Sequence, residues 1–137
     1  MALHSIADSK KEKVKEKITY LLKRREEVVF SYIYGSFTEG DFRDIDIAVY
    51  LRDEEKSLPY ELNMERRIED AIGFPADVRI LNHAPLCFRF NVIKNGSLLF
   101  SRNDKIRCDF ECLSIVEYHD FDYLMSTHRR EALGIKI

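Results

Sequence analysis

Residues 28–50 read VVFSYIYGSFTEGDFRDIDIAVY, and this stretch decides the fold. Its β-branched and aromatic run breaks at Gly35-Ser36, passes through a short polar loop that holds Gly40, and resumes as apolar residues alternating with Asp44 and Asp46. Alternation with period two marks a half-buried strand, so the stretch predicts two strands, 27–34 and 44–51, joined by a glycine turn. On the second strand Ile45, Ile47 and Val49 face one way, and Asp44, Asp46, Ala48 and Tyr50 the other. The two carboxylates therefore share a face. Like charges so placed repel and lose solvation when partly buried, which makes them poor sheet glue. They suit a divalent cation.

The turn between the strands has its own chemistry. A strand that ends in Gly-Ser and runs into a turn of helix directs backbone N–H groups and a hydroxyl into one small space, which suits phosphate oxygens. Gly35 permits close backbone approach, Gly40 is expected to supply a positive φ, and residues 37–40 are too few for more than a helical turn. Arg43, beside the first acid, has two readings: a phosphate contact, or a simple ion pair with Asp41 or Asp44.

Working outward, residues 9–26 place Val14, Ile18, Leu21 and Leu22 at helical spacing, with lysines and glutamates as a solvated face and Asp8 or Ser9 as the cap. Beyond the second strand, residues 52–57 form a charged loop. Ser57 or Pro59 opens a helix to about Ile72, with Met64, Ile68, Ala71 and Ile72 as its apolar stripe, Glu61, Glu65, Arg66, Arg67 and Glu69 as its wet side, and Gly73 as its end. Residues 76–81 (ADVRIL) read as a third strand that carries one acid, Asp77, in an apolar setting. A helix follows Pro85 and closes at Gly96, then a short strand at 97–101. Residues 104–133 return to a helical period, as one helix or as two broken near Tyr118-His119-Asp120. This order predicts an α+β fold: a small mixed sheet of about four strands with helices packed on it.

At 137 residues, 45% of them hydrophobic and 34% charged, the composition is that of one globular domain. The core would occupy about residues 10–105, with a helical segment at 104–133 behind it. A formal net charge of −2 argues against broad nonspecific nucleic-acid binding, which needs an excess of Lys and Arg. No apolar run reaches the length of a membrane span and the first residues lack the apolar core of a signal peptide, so a cytoplasmic setting is expected. Cys87, Cys108 and Cys112 are an odd number without a CxxC pair, and are expected to be free, partly buried thiols. His83 reads as a turn residue, and His119 and His128 make no zinc spacing with the cysteines. Tyr32, Tyr34 and Tyr50 are strand aromatics before they are base-stacking candidates.

Taken together, the paired acids, the glycine turn and Asp77 describe a carboxylate cluster facing a phosphate turn. The pattern GSFTEGDFRDIDIAVY resembles the Gly-Ser and Asp-x-Asp signature of the DNA polymerase β-like nucleotidyltransferases. FRDIDIAVYL and the later ADVRILNHAPLCFRFNVIKNGSLLFSR are similar to the minimal nucleotidyltransferases, the antitoxin half of two-gene modules whose other half is a HEPN-type ribonuclease toxin. The resemblance covers roughly residues 10–105. It implies that Gly35 and Ser36 bind nucleotide phosphates, that Asp44, Asp46 and Asp77 hold two Mg²⁺ ions, and that AMP passes from ATP to a tyrosine hydroxyl of the toxin. Only seven residues separate Ser36 from Asp44, a tighter loop than many members have, which alters the pocket wall around residues 41–43.

Two other functions compete with the enzyme. One is an antitoxin of the same fold that binds nucleotide but neutralises its partner by masking it. The other is a nucleotidyltransferase acting on a small molecule, which ranks lower because such enzymes carry a further substrate domain. Ile115, Val116, Tyr123, Ile135 and Ile137 are candidates for a partner surface, although packing against the chain's own sheet accounts for most of them more economically.

Overall fold

In the computed structural model, which describes residues 3–53 and 58–134, the elements follow the order α1 (Asp8–Lys23), β1 (Val28–Tyr34), a 3₁₀ turn (Ser36–Thr38), β2 (Ile45–Leu51), α2 (Leu58–Ile72), β3 (Ala76–Ile80), α3 (Leu86–Asn95), β4 (Ser97–Ser101) and α4 (Asp104–Ala132). Ser57, most of the charged loop at 52–57, Ile135 and Ile137 lie outside the described residues. The four strands form one mixed sheet in the order β3-β2-β1-β4, with β1 antiparallel to both its neighbours and β2 parallel to β3. The α+β expectation holds.

The alternation on β2 divides the core. Ile45, Ile47 and Val49 join Ile33, Val78 and the buried stripes of α1 (Val14, Ile18, Leu22) and α2 (Met64, Ile68) in an apolar layer on one side of the sheet. On the other side Phe30, Tyr32, Tyr34 and Ala48 pack with Val92 of α3 and Phe110 of α4. Tyr50 stacks on Phe30 at 4.7 Å between ring centroids, and Phe110 lies 5.1 Å from Tyr50. The Tyr32 hydroxyl donates to Glu111 on α4. Tyr32 and Tyr50 thus seat α4 on the sheet.

Several local expectations change. α1 is preceded by Ala7 with no side-chain cap, and Asp8 sits in its first turn, where a negative charge favours the helix dipole. Gly40 does not have a positive φ; Gly35 does, at 82°. Glu61, Glu65 and Glu69 are not merely wet. They lie one helical turn apart on α2 and accept the outward N–H groups of Ile80 (3.0 Å), Val78 (2.8 Å) and Ala76 (3.2 Å), which closes the edge of β3.

Residues 104–132 are one unbroken helix, capped by the Asn103 side chain, which accepts from the Ile106 N–H. Its first half is held down by Phe110, by Ser114 bonded to Arg89 of α3 at 3.1 Å, and by Tyr118 stacked on Phe90 at 3.8 Å. Its second half does not pack on the sheet as expected: Phe121, Tyr123, Leu124 and Met125 are exposed, as is Val116 on the outer side of the first half. Cys87, Cys108 and Cys112 are exposed free thiols rather than partly buried ones, because they fall on the solvent sides of α3 and α4.

Candidate active site

At the end of β1 the chain reverses through Gly35. Its positive φ is one that side-chain-bearing residues rarely adopt, and a Cβ there would collide with the Asp46 carboxylate. Glycine therefore does two things at once: it turns the chain and admits the acid. Beyond it the Thr38 N–H and hydroxyl both donate to Gly35 O, at 3.1 and 2.7 Å, and the Glu39 and Gly40 N–H groups bond Ser36 O. A helical turn leaves its first N–H groups without a partner inside the turn, so those of Ser36 and Phe37 mark its donor end.

The short loop is anchored rather than loose. Phe37 and Phe42 are fully buried and meet edge to face at 4.8 Å, and Phe42 exchanges two backbone hydrogen bonds with His4. Lys11, counted by sequence among the solvated lysines of α1, donates to Phe37 O at 2.8 Å and to Gly40 O at 2.7 Å, with its ammonium 5.2 Å from the Phe37 ring centre. One cation from a distant helix thereby closes the acceptor end of the turn. Asp41 and Arg43 flank Phe42 and are exposed, and among the described residues Arg43 pairs with neither Asp41 nor Asp44.

The acids line up across the sheet. Tyr34 on β1 is opposite Asp46 on β2, and Asp46 is opposite Asp77 on β3, so the three form one row on the face covered by α3. Asp44 stands just before β2. Burial, then Asp44, then Asp77 push the Asp46 carboxyl up to about 6, against the smaller pull of Arg79. The Tyr34 hydroxyl is held well above its usual range by burial and then by Asp46 and Asp77. Asp77 is paired with Arg79 Nε at 3.4 Å, and burial and Asp77 raise the Glu65 carboxyl although the Val78 amide opposes them.

Gly35, Ser36, Asp44, Asp46 and Asp77 are thus neighbours, and Arg43 stands on the rim. Among the described residues no three acids, histidines or cysteines converge into a ready-made cation cage. The donor set nevertheless fits Mg²⁺, which takes one or two carboxylates and fills its octahedron with water and phosphate oxygens. Burial is the larger cause of the rise at Asp46, and the part that comes from Asp44 and Asp77 is what a divalent cation would relieve. Sequence reasoning missed Lys11, Glu65 and Arg79. Arg79 was open to view, at i+2 from Asp77 on the same strand face; the other two act through tertiary contacts.

A glycine turn set against a row of acids, on a mixed sheet between helical layers, is the architecture of a phosphate-handling transferase. The chain belongs to the polymerase beta nucleotidyltransferase family, whose model matches residues 16–105. Among solved structures it is similar to a chain in the complex of tri-AMPylated Shewanella oneidensis HEPN toxin with MNT antitoxin, at 19% identity over 90% of this chain and 98% of that one, with a TM-score of 0.72. It is also similar to a chain of the toxin–antitoxin MntA-HepT, at 19% identity over 89% and 98% of the two chains with a TM-score of 0.70. A third likeness is to a toxin–antitoxin with AMP-PNP, at 20% identity over 87% and 98% with a TM-score of 0.72. At these identities the likeness is one of fold. No curated protein matches the sequence.

Proposed function

We propose that this nucleotidyltransferase uses Mg²⁺ to move AMP from ATP onto a tyrosine hydroxyl of a HEPN-type toxin, and so acts as an antitoxin by modification. The observation that carries the reading is the row of Asp46 and Asp77 on adjacent parallel strands, with Gly35 lacking the Cβ that would collide with the Asp46 carboxylate. The solved neighbours support it, since one holds a tri-AMPylated HEPN toxin and another AMP-PNP. The proposed setting is the cytoplasm, where ATP and Mg²⁺ are available.

In this reading the Gly35 and Ser36 backbone and the Ser36 hydroxyl orient the triphosphate, and Arg43 reaches it from the rim. Asp44, Asp46 and Asp77 would hold two Mg²⁺ ions, which would supply stabilisation of charge on the attacking and leaving oxygens. The acceptor's phenolic oxygen forms a bond to the α-phosphorus as the bond to pyrophosphate breaks, and Asp77 accepts the phenolic proton. The exposed apolar residues in the second half of α4 supply surface for the partner.

The test uses the purified protein with Mg²⁺, ATP and its co-expressed partner. Mass spectrometry of the partner is expected to find additions of AMP, and the double variant Asp44→Asn, Asp46→Asn is expected to abolish them. A double variant that still neutralises the partner fully would establish masking instead.

A further inference from the structure

We infer that the cleft between α2 and α3, at the edge of β3, receives the acceptor, and that its ligand is a segment carrying an aromatic hydroxyl among basic residues. The inference rests on the nucleotidyl-transfer reading and adds to it the place and chemistry of the acceptor. The cleft has a volume of about 570 Å³ and is lined by Leu62, Glu65, Asp77, Arg79, Pro85 and Phe88, among others. That volume lies in the range of pockets that enclose a small ligand or one anchoring side chain.

Its position separates the two substrates. Gly35 and Ser36 follow β1, whereas β3 is two strands away at the edge of the sheet, with β2 between them. Asp77 lines the cleft and also stands opposite Asp46, so a hydroxyl entering from the cleft meets the acid row from the side away from the phosphate turn. Phe88 links the two regions, since its ring meets Tyr34 edge to face at 5.6 Å. An aromatic acceptor finds Phe88 and Pro85 on one wall and Leu62 on the other.

Charge selects further. With Asp77 given to the metal site, Glu61 and Glu65 line the cleft, among the described residues, against one guanidinium, Arg79, which disfavours a triphosphate and favours cationic neighbours on the incoming segment. Strand addition is closed to that segment, because Glu61 and Glu65 already take the outward N–H groups of Ile80 and Val78. Recognition must then be by side chains.

Labelled peptides with a tyrosine flanked by lysines or by glutamates test this in fluorescence anisotropy, with Mg²⁺-ATP binding followed by calorimetry. The lysine-flanked peptide is expected to bind about tenfold tighter than the other. Leu62 is 52% exposed, so Leu62→Lys leaves the core untouched, and it is expected to weaken that peptide about tenfold while Mg²⁺-ATP binding stays unchanged. Leu62→Ala, which adds no charge, gives a smaller loss in the same direction. Equal binding of the two peptides, or a Leu62→Lys variant that loses Mg²⁺-ATP instead, would overturn the assignment. Neither arm needs turnover. A protein that binds the lysine-flanked peptide selectively but transfers no AMP keeps the cleft and loses the transfer reading, and one that transfers AMP without peptide selectivity loses the cleft alone.

Discussion

The two faces of the sheet are built from alternate residues of the same strands, yet they differ in kind. The face under α1 and α2 is apolar throughout and closed: Ile33, Ile45, Ile47, Val49 and Val78 meet Val14, Ile18, Leu22, Met64 and Ile68, with Phe37, Phe42 and Phe100 in the same layer. The face under α3 and α4 is aromatic, and at one end the row Tyr34, Asp46 and Asp77 takes the place of apolar packing. The difference teaches that β2 carries stability and chemistry on opposite sides of one backbone. A strand with side chains alternating at period two can supply a sealed core and a charged site without either intruding on the other.

Substitutions can break that division. The largest effect is expected at the acid row, where Asp77→Asn should lower AMP transfer by about a thousandfold or more with thermal stability nearly unchanged. Radiolabel transfer and a melting curve on the same preparation check both halves. On the sealed face Ile47→Ala, one residue along the strand from Asp46, should cost about 3 kcal/mol in denaturant unfolding by leaving a cavity, and should spare the Mg²⁺-ATP affinity of the protein that remains folded. If Ile47→Ala instead reduced affinity as steeply as stability, the faces would not be independent.

A smaller effect is expected at the lysine that bridges α1 to the turn. Lys11→Met removes the donor shared by Phe37 O and Gly40 O, and should raise the KM for ATP about tenfold with a lesser change in kcat. Steady-state kinetics separates this from a merely structural loss, which would lower the active fraction and leave KM alone.

The smallest effect concerns Asp46 itself, in the protein stripped of divalent cations. Its carboxyl stands at about 6 against the ordinary 3.8, so the folded state holds the proton more tightly than the unfolded one. The stability from this group is therefore fully present below about 3.8 and is lost as pH rises through about 6. Asp46→Asn removes the loss and should stabilise the fold at pH 7 to 8 by on the order of 1 kcal/mol, after allowance for solvent screening of a partly buried group. Thermal melts in EDTA at pH 4.5 and 7.5 read the difference, and Mg²⁺ should then stabilise the wild type more than the variant.

Much of this was legible in the chain. Residues 28–50 gave both strands, the turn and the paired acids within a residue or so, because alternation and glycine punctuation are local signals. Residues 76–80 were legible as a strand with one acid for the same reason. The φ at Gly35 was not, since the sequence offers two glycines and only the approach of Asp46 says which must bear the strain. α4 was ambiguous because a helical period is the same whether the exposed half meets solvent or a partner. Glu61, Glu65 and Glu69 were misread as solvated because spacing along a helix does not name the strand beside it.

By itself, then, the sequence determined the kinds of element, the face on which the acids lie and the family to which the chain belongs, all carried by spacing within single segments. Only the tertiary structure decided that Asp46 and Asp77 share a row, that Lys11 closes the turn after Gly35 and that the edge of β3 is taken by glutamates. Those contacts join residues on separate elements, and their existence depends on strand order and helix packing, which no local pattern encodes.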